Sequence, residues 1–142
     1  MKAHIAQWIG RRKKQEDAYV VRCYPNGLLA VVCDGMGGHA CGASSARRAA
    51  DEFVAAFEER SEGSVSERLC WALEDAKEAV GDVCGRAGVF GGTTLLAAFV
   101  GAGVLWWVSV GDSTLFVWRN KRLVRLNADH SMRAGYQGFV QA

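Results

Sequence analysis

The chain has 142 residues, half of them apolar or aromatic, with a single proline and a formal net charge of +2. That length fits one domain, residues 1–142, with its own core, and the composition excludes a disordered or collagen-like chain. The charge is too small to point to nucleic acid by itself, and no apolar run is long enough to cross a bilayer.

The opening MKAHIAQWIGRRKK lacks the apolar core of a secretion signal, so a cytoplasmic location is expected. Residues 4–9 read as a short strand. The run Arg11-Arg12-Lys13-Lys14 reads as a solvated face rather than a nucleic-acid patch. Residues 17–23 form a second strand, Pro25-Asn26-Gly27 signals a turn, and residues 28–33 return as the partner strand of a hairpin. Asp34-Gly35-Met36-Gly37-Gly38-His39 follows at once: an acid closes a buried strand and three glycines let the backbone approach a ligand. His39 has no His or Cys at ligand spacing and reads as a brace for this loop.

Ala46, Ala49, Ala50, Phe53 and Phe57 then recur at helical spacing, in a helix ending near Arg60. Ser64-Val65-Ser66-Glu67 matches a capping box, and Val65, Leu69, Ala72, Leu73, Ala76, Val80 and Val83 make the stripe of a second helix. Residues 86–92 are a Gly-rich loop. Strands resume at 93–100 and 104–110, apolar on both faces, and residues 114–118 and 121–126 make another hairpin around Arg119-Asn120-Lys121. Antiparallel hairpins and helices segregated along the chain predict an α+β fold with two sheets packed together and helices outside. The five cysteines include no Cys-x-x-Cys and read as buried free thiols.

The hairpin carries the chemistry. With Asn26-Gly27 as its loop, Asp17 lies one diagonal from Asp34; with Pro25-Asn26 as its loop, the two face each other. Either register brings two carboxylates within roughly 5–8 Å, where like charges repel unless a cation lies between them. Glu16 adds negative density, and Asp112 repeats the pattern of an acid beside glycine at a strand end. Oxygen ligands favour Mg²⁺ or Mn²⁺ over zinc, and Arg12 has the fork to bind a phosphate oxygen. Taken singly, each acid also reads as a strand-start, N-cap or turn residue. Trp106, Trp107 and Trp118 read as core or interlayer residues.

Five segments in order, Arg12-x-x-Gln15-Glu16-Asp17-Ala18, Asp34-Gly35-Met36-Gly37-Gly38-His39-x-x-Gly42, Gly92-Thr93-Thr94, Gly111-Asp112-Ser113 and Asp129-His130-Ser131, resemble the metal-dependent protein phosphatases (PPM, type 2C) over nearly the whole chain. The resemblance implies an αββα sandwich with two Mg²⁺ or Mn²⁺ ions, and room for a third, in a cleft at the sheet edges. It implies hydrolysis of phosphoserine or phosphothreonine in a protein partner by water activated at that centre, with neither nucleic acid nor membrane as a partner. On this mapping Asp17, Asp34 and the Gly35 carbonyl hold metal and Glu16 holds its water. Arg12 takes the substrate phosphate, and Asp112 serves the looser third ion.

The chain also departs from the family pattern. Gln15 replaces the usual Asn, Ala43 stands where an acid often follows the glycine, and Thr114 replaces an Arg. Met36 occupies a position where some members carry a His. Only eleven residues follow Ser131, none acidic, so the family's two later aspartates have no counterpart here and a C-terminally truncated domain is expected. The alternative is therefore a catalytically incompetent fragment or phosphoprotein-binding module.

Overall fold

The computed structural model describes residues 1–36, 40–88 and 91–128. Residues 37–39, which include His39, and the 129–131 motif lie outside them. The first hairpin pairs β1 (Asp17–Tyr24) with β2 (Gly27–Met36) through the two-residue loop Pro25-Asn26, so Tyr24 opposes Gly27 and Asp17 opposes Asp34. Of the two registers the turn sequence allows, the chain takes the one that opposes the carboxylates directly. The return strand runs three residues beyond the expected end, through the acid itself.

Helices α1 (Ala40–Glu59) and α2 (Val65–Ala87) follow. Ala46, Ala49, Ala50, Phe53 and Phe57 of α1 are all buried, as their spacing requires. The α2 start is the expected capping box: Glu67 N–H donates to Ser64 Oγ (3.3 Å), and Ser64 N–H donates to Glu67 Oε2 (2.8 Å). Gly88 ends the helix in the left-handed region at φ 61°, a conformation that suits glycine. Leu69, Ala72 and Ala76 of α2 meet Phe53 and Phe57 of α1 in one core. The Arg68 guanidinium lies 3.9 Å from the Phe57 ring centroid and donates to the Phe57 carbonyl, which joins the two helices near their connection.

The chain then returns to the sheet as β3 (Gly92–Thr93), β4 (Leu95–Gly101) and β5 (Val104–Val110). The strand order is β1-β2-β4-β5, antiparallel throughout, with β3 also on β2. Alternate residues Ala18, Val20, Leu29, Val31, Cys33, Leu95, Ala97, Phe99 and Val108 point to the helices and complete the core. The opposite face is also apolar, yet Tyr19 and Val32 on it are 40% and 45% exposed. A separate hairpin, β6 (Phe116–Arg119) and β7 (Arg122–Arg125), turns at Asn120 and Lys121, both at positive φ, as a two-residue type I′ loop demands.

The class is α+β as expected. The described residues supply the helical layer and one five-stranded sheet, and the second sheet consists of the β6–β7 pair. Three local expectations are corrected. Trp118 on β6 is 68% exposed and is not a core residue. Residues 4–9 form no strand: Ile5, Trp8 and Ile9 are exposed and the segment makes no ladder with β1. The cysteines are free, but Cys23 and Cys70 are exposed, so burial does not account for all five.

Candidate functional site

Asp17 opens β1 and Asp34 lies near the end of β2, so the hairpin delivers both to one edge of the sheet as direct cross-strand partners. They share one side, because directly opposed cross-strand partners project to the same face of the sheet. Burial holds the Asp34 carboxyl above the usual carboxylate range, and a hydrogen bond and like charge from Asp17 add to the shift. Asp112 pushes the same way and Arg12 opposes it. The Arg12 guanidinium stands 3.9 Å from Asp34 Oδ1, an ion pair at the limit of contact, with the Asp34 side chain 47% exposed. Arg12, Gln15, Asp17 and Asp34 line one cleft of about 320 Å³, walled on its outer side by Trp8 and Ile9.

The backbone around Asp34 is fixed by Thr94, which the sequence alone places in the strand 93–100 and the Gly92-Thr93-Thr94 segment without a role of its own. Thr94 N–H donates to the Asp34 carbonyl (2.9 Å), and Asp34 N–H donates to Thr94 Oγ1 (2.9 Å). The same hydroxyl is 2.8 Å from Ser113 Oγ. The pairing of β2 with β4 and with β3 keeps one register across this point, from Leu28 opposite Val100 to Met36 opposite Gly92. Thr94 therefore continues the ladder with its side chain while its own carbonyl takes the Thr93 hydroxyl. The available signal was a hydroxyl residue, 2% exposed in the fold, at the head of an otherwise apolar run.

A Thr94→Val variant keeps the shape and removes the hydroxyl, which strands the Asp34 N–H. It is expected to cost about 1–3 kcal/mol in a urea titration; an unchanged midpoint would show that the hydroxyl does not hold Asp34.

Gly35 is the tightest point of the site. Its N–H donates to the Glu16 carbonyl (3.2 Å). A Cβ built there would stand 2.3 Å from the Gly42 carbonyl oxygen and 2.6 Å from that of Glu16. Glycine is required here by close approach rather than by backbone angle. Glu16 turns toward the helix side: its Oε1 is 3.2 Å from where a Gly42 Cβ would sit, in the first turn of α1. That turn has no acid of its own, so Glu16 supplies the negative charge that a helix N-terminus favours. Asp112 follows Gly111 (φ 98°) just past β5 and is exposed, across Thr94 from Asp34. Asn127 straps the segment beyond it, with Nδ2 donating to the Ser113 carbonyl and Oδ1 accepting from Leu115 N–H.

The edge thus brings Asp17, Asp34 and Arg12 to one cleft, and Asp112 within electrostatic reach. Among the described residues no group of three or more His, Cys, Asp or Glu side chains converges as a metal cage. The donor set still fits a hard divalent cation, since two opposed carboxylates repel across the strand pair, the 3.9 Å Arg12 contact offsets only part of that, and such an ion relieves it.

The fold is that of the PPM-type serine/threonine phosphatases. The chain is similar to the PPM Ser-Thr phosphatase MsPP from Mycobacterium smegmatis, solved in complex with cacodylate, at 28% identity and TM-score 0.70, over 87% of this chain and 50% of that one. It is similar to serine/threonine phosphatase Stp1 from Staphylococcus aureus at 28% identity and TM-score 0.71, over 86% of this chain and 50% of that one. The catalytic domain of PstP, solved with two manganese ions, shares the fold at 24% identity and TM-score 0.72, over 87% of this chain and 53% of that one. The chain therefore spans about half the length of these structures. Curated proteins gave no match. A sequence profile of Protein phosphatase 2C matches residues 7–138, and the chain belongs to the protein phosphatase 2C family.

Proposed function

We propose that the sheet edge is the metal-dependent centre of a protein serine/threonine phosphatase that hydrolyses phosphoserine or phosphothreonine. The observation that carries this reading is the register that sets Asp17 opposite Asp34 in a cleft shared with Arg12. Asp17 and Asp34 are the residues that would hold Mg²⁺ or Mn²⁺, with the Gly35 carbonyl beside them and Asp112 serving a further ion. A bound divalent ion supplies Lewis-acid charge and acidifies water at neutral pH.

The chain's own groups do the rest. Arg12 offers a planar fork to a phosphate oxygen, and its loose 3.9 Å contact with Asp34 leaves that fork available to a ligand. Thr94 and Gly35 fix the Asp34 backbone from two sides, so the carboxylate is presented without reorganisation. Met36 has no proton to transfer, so the chain offers no acid for the leaving group at that position.

The test is Mn²⁺-dependent phosphate release from a phosphothreonine peptide by the 142-residue chain, beside Asp17→Ala and Asp34→Ala variants. Release that either substitution abolishes supports the assignment. Release that both variants retain would remove these residues from the site. Metal uptake without release would favour the alternative, a phosphoprotein-binding module.

A further inference from the structure

Away from the cleft, Cys41 and Cys84 bring two thiols together where nothing in the hydrolytic reading needs them. Cys41 lies in the first turn of α1 and Cys84 in the last turn of α2, so forty-two residues of chain separate two sulfurs that stand 2.8 Å apart. That is closer than non-bonded sulfurs normally rest, and both cysteines are free. Ser45, one turn along α1, brings its hydroxyl to 3.5 Å from Cys41 Sγ and 3.4 Å from Cys84 Sγ. Cys41 and Ser45 are buried, while Cys84 is half-buried and opens the pair to solvent. The sulfurs lie beneath the end of β2: a Cβ on Gly91 would be 3.2 Å from Cys41 Sγ and 3.4 Å from the Met36 carbonyl.

We infer that Cys41 and Cys84 are a reversible dithiol–disulfide pair that a peroxide closes, stapling the start of α1 to the end of α2. Hydrogen bonds from Cys84 and Ser45 hold the Cys41 thiol below its usual value, and the bond to Cys41 raises Cys84. Peroxide meets the accessible Cys84. The Cys84 sulfur attacks one peroxide oxygen, the O–O bond breaks, and the departing oxygen takes the Cys84 proton and leaves as water, giving a sulfenic acid on Cys84. Cys41 then attacks the Cys84 sulfur. The S–S bond forms, the S–O bond breaks, and the Cys41 proton leaves with that oxygen as a second water. Two thiols and one peroxide become one disulfide and two waters: the sulfurs lose two electrons and the peroxide oxygens gain them. An added thiol reverses the closure by exchange.

The exposed Cys23 and Cys70 are the internal comparison. The full chain, carrying Cys23→Ser and Cys70→Ser, is treated with hydrogen peroxide and mapped by non-reducing peptide mass spectrometry, with and without dithiothreitol. The expected product is a Cys41–Cys84 cross-link that dithiothreitol removes. It should raise Tm by about 5 °C or more, because it closes a long loop in the unfolded chain. Cys84→Ser and Cys84→Ala should each lose both the link and the shift. The proposal is overturned if both thiols remain open to alkylation after peroxide, or if peroxide drives either one to sulfinic acid without a cross-link.

Discussion

A methyl group on Gly35 is expected to cost the fold about 3 kcal/mol, the upper end of the overpacking range, and to lower Tm by about 10 °C. The obstacles are backbone atoms on two elements, the Gly42 carbonyl in α1 and the Glu16 carbonyl before β1, both well inside contact distance. Neither can rotate away as a side chain would, so relief requires the start of α1 and the lead into β1 to move apart. Gly85→Ala is the matched control: it lies in α2, where an added Cβ meets nothing within 4 Å, and should stabilise by about 0.5–1 kcal/mol. Equal thermal shifts in the two variants would show that residue 35 is not a point of close packing.

Asp34→Asn should move stability and metal binding in opposite directions. The apo chain should gain about 0.5 kcal/mol, because a neutral amide opposite Asp17 removes like-charge repulsion across the strand pair, while the backbone bonds to Thr94 stay in place. The value is kept small because the side chain is 47% exposed and solvent screens the repulsion. The sign with pH follows from the raised Asp34 pKa. A carboxyl raised in the fold opposes folding when ionised, so wild-type stability recovers as pH falls through that value. The advantage of the amide variant is therefore greatest near neutrality and fades in acid. Calorimetry with Mn²⁺ should show a loss exceeding the roughly 10–100-fold that outer hydrogen-bond partners cost. A variant that binds Mn²⁺ as tightly as the parent would separate Asp34 from the metal.

Local signals carried a large part of this fold. The Pro25-Asn26-Gly27 turn and the apolar run after it defined the β1–β2 hairpin, and the Ser64–Glu67 box marked the start of α2. What the sequence left open was the position of the two-residue loop, a two-residue shift in pairing that decides whether Asp17 and Asp34 meet directly or on a diagonal. The turn chemistry permits both, and the pairing of β2 with β4 and β3 is long-range. Thr94 was legible only as part of a Gly-Thr-Thr string, since its role depends on a contact with Asp34 sixty residues away in sequence. Residues 4–9 formed no strand although β1 leaves one flank open among the described residues: the segment reaches β1 through Gln7 Nε2, which donates to the Asp17 carbonyl, and its apolar side chains Ile5, Trp8 and Ile9 stay exposed. Glu16 was legible only as negative density beside Asp17; its place over the start of α1 needed the helix to be docked.

The pairing of β2 on both flanks has a consequence for the proposed site. With β1 on one flank and β4 and β3 on the other, the backbone that carries Asp34 is held on both sides, and a doubly paired strand opens less readily than a loop. On the proposed function, entry and departure of an ion or a phosphate are set by the exposed Trp8–Arg12 wall and by side-chain rotation, while the backbone under the carboxylate stays paired.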